Sequence, residues 1–158
     1  MARTAVLGLP RIGPDRELKF ALEAFWSGAV GADELSSAAQ DLRAAGWTRA
    51  RAAGIDVIPS GDFSLYDHVL DVAWALGAIP ARFADLDRGD LRSYFALARG
   101  THEHRPLEMT KWFDTNYHYL VPELEREQRF ELRADHWTGA LREAAALGIA
   151  TRPVVLGP

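Results

Sequence analysis

Apolar positions along the chain fall into two kinds of pattern that take turns: short unbroken runs, and stripes at helical spacing. Thr4–Leu9 is an apolar run that predicts a buried strand, closed by Pro10 and Gly13. Pro14 and Asp15 then open a helix over Arg16–Ser27, with Leu18, Ala21, Leu22 and Phe25 on one face and Gly28 as its stop. Asp33 is the expected cap of a second helix, striped by Leu35, Ala38, Ala39, Leu42 and Ala45, kinked at Gly46 and resuming through Ala53.

Ile55–Ile58 predicts a second buried strand, stopped by Pro59-Ser60-Gly61-Asp62. Leu65, Val69, Val72 and Leu76 stripe a helix over Ser64–Leu76. Residues 77–90 read as loop, Leu91–Arg99 as a short helix, and Gly100–Pro106 as a polar loop. Leu107–Phe113 is the third expected strand and Phe130–Leu132 a small edge strand. Asp135 caps a helix to Leu147, and Arg152–Leu156 is the fourth strand.

Strands alternating with helices imply a parallel sheet with crossover connections. The expected fold class is therefore α/β: parallel (β/α) units over residues 1–158 forming about half of a TIM-type barrel, truncated after the fourth strand. A half barrel leaves sheet edges and part of an apolar face uncovered, so self-association or pairing with a complementary fragment is expected.

Composition narrows the function classes. The 158 residues carry 18 Lys and Arg against 22 Asp and Glu, a net charge of -4, which argues against general nucleic-acid binding. The chain has no cysteine, which excludes disulfides and thiolate metal ligands within it. No run has the length of a signal peptide's apolar core or of a membrane span, so a cytoplasmic protein with no membrane partner is expected.

Two segments concentrate chemistry where strands are expected to end, and ligands bind at that end of a parallel sheet. The first is Gly8-Leu9-Pro10-Arg11-Ile12-Gly13-Pro14-Asp15-Arg16-Glu17-Leu18-Lys19. Arg16 and Lys19 share a helix face at the end where the dipole disfavours cations by about 0.3–1 kcal/mol each, which points to an anion beside them. A solvated face with Lys19 paired to Glu23 satisfies the same spacing. The second segment is Glu108–Tyr119, where Lys111 stands between Met109 and Trp112-Phe113. In a core strand such a lysine must reach water at the strand end or find a partner, for which Asp114 is placed.

Asp62, Tyr66 and Asp67 follow the second expected strand, and Asp62 is equally well explained as a loop or cap residue. Asn116, Tyr117, His118 and Tyr119 suit a flat polar ligand, or aromatic packing under a loop. Among the five histidines, His102-Glu103-His104 has metal-ligand residue types but lacks a third ligand in sequence and reads as an exposed loop. No dinucleotide fingerprint, phosphate-binding loop or nucleophile elbow is present, and no catalytic or metal residue is assigned.

Leu7–Gly13 with Arg16-Glu17-Leu18-Lys19, Gly54–Phe63, Tyr66–Leu70, Glu108–Glu123 and Thr151–Pro158 together resemble the cobalamin-independent methionine synthases. The resemblance runs over essentially the whole chain. It implies transfer of a methyl group from 5-methyltetrahydrofolate polyglutamate to homocysteine, by two facing (β/α)8 barrels. It places the catalytic zinc and the homocysteine site in a C-terminal barrel, leaving no cofactor in this chain. It implies that Arg16, Glu17, Leu18, Lys19 and Lys111 bind the folate polyglutamate. A glutamate tail is a string of carboxylates, which suits that cationic set. The chain is several times shorter than the family polypeptide, so it is expected to be inactive alone and to need the missing C-terminal portion or a second copy of itself. The alternative is a non-catalytic half-barrel module that self-associates and binds an anionic metabolite.

Overall fold

A computed structural model describes residues 2–157. Two compact units emerge, one built from residues up to Leu65 together with Asp135–Val155, the other from Tyr66–Ala134 with the last residues of the chain.

The first unit opens with α1 (Glu17–Ser27) and α2 (Ala32–Ala52), followed by β1 (Ile58–Ser60). Leu18, Leu22 and Phe25 form the buried face of α1, as their spacing predicts. α2 begins at Ala32, not at an Asp33 cap: Gly31 is the capping position, and its amide donates to the Glu34 carboxylate at 3.0 Å. The helix also runs through Gly46 without the expected break. A Cβ there would stand 3.3 Å from Leu9 Cδ1, so Gly46 admits the Leu9 side chain against the helix. Trp47, Ala50 and Ile58 pack with Ala140, Ala144 and Ile149 into one core, which draws in Leu9 and Ile55. The last three come from or follow α5 (Asp135–Ala146), which leads into β4 (Thr151–Pro153).

Parallel pairing is present in this unit. β1 runs parallel to β4, with Ile58 opposite Thr151 and Ser60 opposite Pro153. On its other flank the β1 segment meets the N-terminal run through one parallel bridge, Ala5 to Val57. The expected Thr4–Leu9 strand is thus reduced to that bridge, and Leu7 is 77% exposed. Among the described residues that single bridge is the run's one pairing, so most of it lacks the cross-strand pairs that stabilise a strand.

The second unit holds α3 (His68–Leu76), a 3₁₀ turn at Ala81–Phe83, α4 (Leu91–Arg99), β2 (Met109–Lys111) and β3 (His118–Leu120). α3 starts four residues later than its stripe predicts, because the Asp67 carboxylate caps it through the amides of Val69 and Leu70. Its fully buried residues are Leu70, Ala73 and Ala75, so the inward face is shifted from the Leu65, Val69, Val72, Leu76 stripe. α4 matches its predicted bounds and is buried all round from Ser93 to Ala98.

Leu107–Phe113 departs furthest from expectation. Met109–Lys111 pairs antiparallel with His118–Leu120, so it is one arm of a hairpin and not the third strand of a parallel sheet. The connection is too short for a crossover, which forces the antiparallel return. Phe130–Leu132 forms no strand. Instead the amides of Glu131 and Arg133 donate to the carbonyls of Leu76 and Ala75, satisfying acceptors that the end of α3 leaves open. No helix among the described residues is long and apolar enough to cross a membrane.

Candidate functional site

In the first unit the candidate residues follow the N-terminal run. That segment is pinned at two points to the residues after β1: Asp62 Oδ2 accepts the Leu9 amide at 2.7 Å, and the Arg11 guanidinium donates to the Ser64 carbonyl. Gly61 allows the chain to turn there at φ 76°. A Cβ at this position would stand 2.6 Å from the Trp137 ring and 3.1 Å from the Val154 carbonyl.

The pinned segment delivers Arg16 in a left-handed conformation, φ 64° and ψ 33°, immediately before α1. Only one other non-glycine residue has positive φ among the described residues, Phe113, and it lies in the second candidate segment. Strained backbone of this kind concentrates where surrounding structure holds a functional geometry.

Arg16 is exposed and Lys19 half-buried, while Leu18 is completely buried. Leu18 therefore anchors the segment in the core and offers no side chain to a ligand. Its amide is also engaged, donating to the Ile12 carbonyl at 3.1 Å. Glu17 turns back on the loop, its carboxylate accepting the Asp15 amide at 3.1 Å. Lys19 pairs with Glu23 at 2.9 Å and stands 5.2 Å from the centre of the Phe20 ring. The solvated ion pair that the spacing allows is present, and the ammonium remains on the surface.

Deeper in the same unit, Arg43 forms a two-pronged pair with Glu143, both contacts at 2.7 Å, and lies over the Phe63 ring. Beside it is a cavity of about 150 Å³ bordered by Gly61, Asp135 and His136. Burial, aided by the Arg43 charge, holds the His136 imidazole below its usual value, against the Gly61 carbonyl and the Glu143 and Asp62 carboxylates.

In the second unit Lys111 ends β2 opposite His118. It is exposed, so it needs no buried counter-ion, and among the described residues no ion pair joins it to Asp114. The turn beyond it is closed by the Trp112 amide on the Tyr117 carbonyl at 2.8 Å. Phe113 is 81% exposed. Trp112 meets both Phe113 and Tyr119 edge to face, at 5.3 and 5.5 Å between ring centres. Lys111 thus stands next to a surface aromatic cluster, the kind of group that accepts a flat ligand.

Asp67 is buried, and both of its carboxylate oxygens are engaged within the unit. Oδ1 caps α3, and Oδ2 accepts the Leu120 amide at 3.2 Å. Burial still raises its pKa, partly offset by the amides of Leu70, Leu120 and Val69. Tyr66 is also raised by burial, against the nearby Arg99 charge. Neither the double role of Asp67 nor the Asp62 bracket on Leu9 has a sequence signal beyond an aspartate after a strand.

The predicted residues therefore divide. Arg16, Glu17, Leu18 and Lys19 belong to the first unit and Lys111 to the second. His102-Glu103-His104 is not wholly an exposed loop: the His104 side chain is only 11% exposed.

Comparison with known proteins follows the same stretches. The family described as the N-terminal domain of the cobalamin-independent synthase matches residues 3–158. The 5-methyltetrahydropteroyltriglutamate–homocysteine methyltransferase of Streptomyces coelicolor is 57% identical over 158 residues, 99% of this chain and 20% of that protein. The enzyme of the same name from Xylella fastidiosa strain M23 is 56% identical over 96% of this chain, and that of Caulobacter vibrioides 53% over 98%. The chain spans about a fifth of the length of these relatives.

Proposed function

Since the chain belongs to the family of the cobalamin-independent synthase N-terminal domain, we propose that it is the N-terminal part of a methyltransferase that moves a methyl group from 5-methyltetrahydrofolate polyglutamate to homocysteine. The observation that carries this reading is the 57% identity, across nearly the whole chain, to a relative whose name states that substrate pair. The role of this part is to bind the polyglutamate tail.

Arg16 and Lys19 supply charge for tail carboxylates, and Lys111 a further ammonium beside an aromatic surface. Leu18 works by holding the segment in the core, and Glu17 by shaping the loop before α1. The Lys19–Glu23 pair is exposed and worth only a few tenths of a kcal/mol, so exchanging Glu23 for a substrate carboxylate costs little. The parallel pairing around β1 supports a partial (β/α) barrel, completed by the C-terminal portion of a longer polypeptide or by a second copy. A stand-alone module for another anionic metabolite finds no support in the relatives. The family resemblance puts its catalytic zinc in the C-terminal barrel, outside this chain.

Calorimetric titration of the chain with 5-methyltetrahydrofolate triglutamate, beside the monoglutamate, tests tail binding. Affinity that rises with tail length and falls on Arg16→Ala or Lys111→Ala upholds it. Equal affinity for both, or equal effects of the substitutions on both, overturns it.

A further inference from the structure

We propose that Asp85, Glu103 and His104 form a site for a divalent cation of the zinc class, separate from the tail-binding residues and from any residue family membership assigns. Each offers one ligand atom, and these atoms lie within 4.8 Å of one another. One imidazole with two carboxylates is a donor set that zinc accepts, with water completing the coordination.

The histidine is held ready. Its ring stacks on Phe83, which is completely buried, at 5.2 Å between centres and 20° between planes. Nε2 points at Asp85 Oδ1, 3.0 Å away, and Nδ1 lies 3.2 Å from Thr101 Oγ1. A metal-bound imidazole characteristically has its second nitrogen fixed in this way. Thr101 Oγ1 already accepts the amides of Glu103 and His104, so its own proton goes to Nδ1, and Nε2 carries the ring proton toward Asp85. A cation takes the place of that Nε2 proton between ring and carboxylate; the displaced proton passes to Nδ1 as the Thr101 hydroxyl turns its own proton away, so the ring stays neutral and no proton is released.

The ligands come from two loops, residues 84–90 and 100–106, that flank α4. The Gly100 turn sets the second loop: a Cβ there would meet the His104 carbonyl and the Pro106 ring at 2.8 Å. Glu103 and His104 also border a cavity of about 570 Å³ that includes Arg82, Arg105, Glu108 and Glu123, giving water access to the open coordination positions. Arg82 does not oppose a cation, because Glu123 grips it through two contacts of 2.8 Å. Arg105 and Glu108 bring opposite charges to the lining of the same cavity.

Zinc chloride titrated calorimetrically into the chain at neutral pH, in a non-chelating buffer, tests the site. One zinc per chain is expected, weakened roughly tenfold or more by His104→Ala and by Asp85→Asn, and unchanged by His102→Ala. His104→Ala also removes the stack on Phe83, so Asp85→Asn, which leaves the ring in place, is decisive when its circular dichroism matches the parent. An unchanged zinc affinity in folded Asp85→Asn, or no zinc binding by the parent chain, overturns the proposal.

Discussion

Asp67 and Leu120 are joined by a hydrogen bond, Leu120 N to Asp67 Oδ2 at 3.2 Å, that fastens the end of β3 to the start of α3. The other oxygen of the same carboxylate caps α3. One buried aspartate thus orders the hairpin that carries Lys111. Asp67→Asn keeps a carbonyl oxygen for the cap but turns an amide nitrogen toward Leu120, leaving a buried N–H unsatisfied. We expect a loss of about 1–3 kcal/mol in urea unfolding and faster hydrogen exchange at Leu120. Asp67→Ala loses the cap as well and should fall further. Unaltered exchange at Leu120 in the asparagine variant would show that the bond does not secure the hairpin.

Leu18 and Lys19 are neighbours with opposite work. Leu18→Ala opens the core beneath α1 and should cost about 2–5 kcal/mol. Lys19→Ala removes an exposed pair and should cost less than about 1 kcal/mol. Denaturant midpoints of the two variants separate core residue from surface residue within one tetrapeptide.

Gly61 combines φ 76° with near contact to the Trp137 ring and the Val154 carbonyl. Gly61→Ala should destabilise by about 1–3 kcal/mol, because both the backbone conformation and the space exclude a methyl group. Thermal unfolding measures it, and a neutral result would mean the segment after β1 relaxes freely.

His136 sets a pH dependence. Its folded pKa lies below the ordinary 6.5, so near and below that pH the unfolded chain binds more protons than the native one. Its contribution is full above the ordinary value and is lost as pH falls through the folded value. Unfolding midpoints taken from about pH 7.5 down to about pH 5 should decline more steeply in the parent than in His136→Asn. Equal slopes would remove His136 as the cause.

Local patterns in the sequence determined much of this protein. The spacing of Leu18, Leu22 and Phe25 specifies the buried face of α1, and Leu91–Arg99 specifies α4, because periodic burial is written in neighbouring residues. The placing of Arg16 and Lys19 beside glycine and proline, and of Lys111 beside aromatic residues, was equally legible, since charge in an apolar context is visible without coordinates. Partnering was decided by tertiary structure alone. Whether Met109–Lys111 lies parallel in a sheet or returns antiparallel to His118 depends on a pairing that periodicity does not encode. Gly46 reads as a helix breaker until Leu9 is seen to need its space. Asp85 lies far from His104 in sequence and meets it only because a stacked Phe83 and the Gly100 turn aim the ring. Contacts across long separations depend on how the chain closes on itself, and that closure is a property of the packed whole.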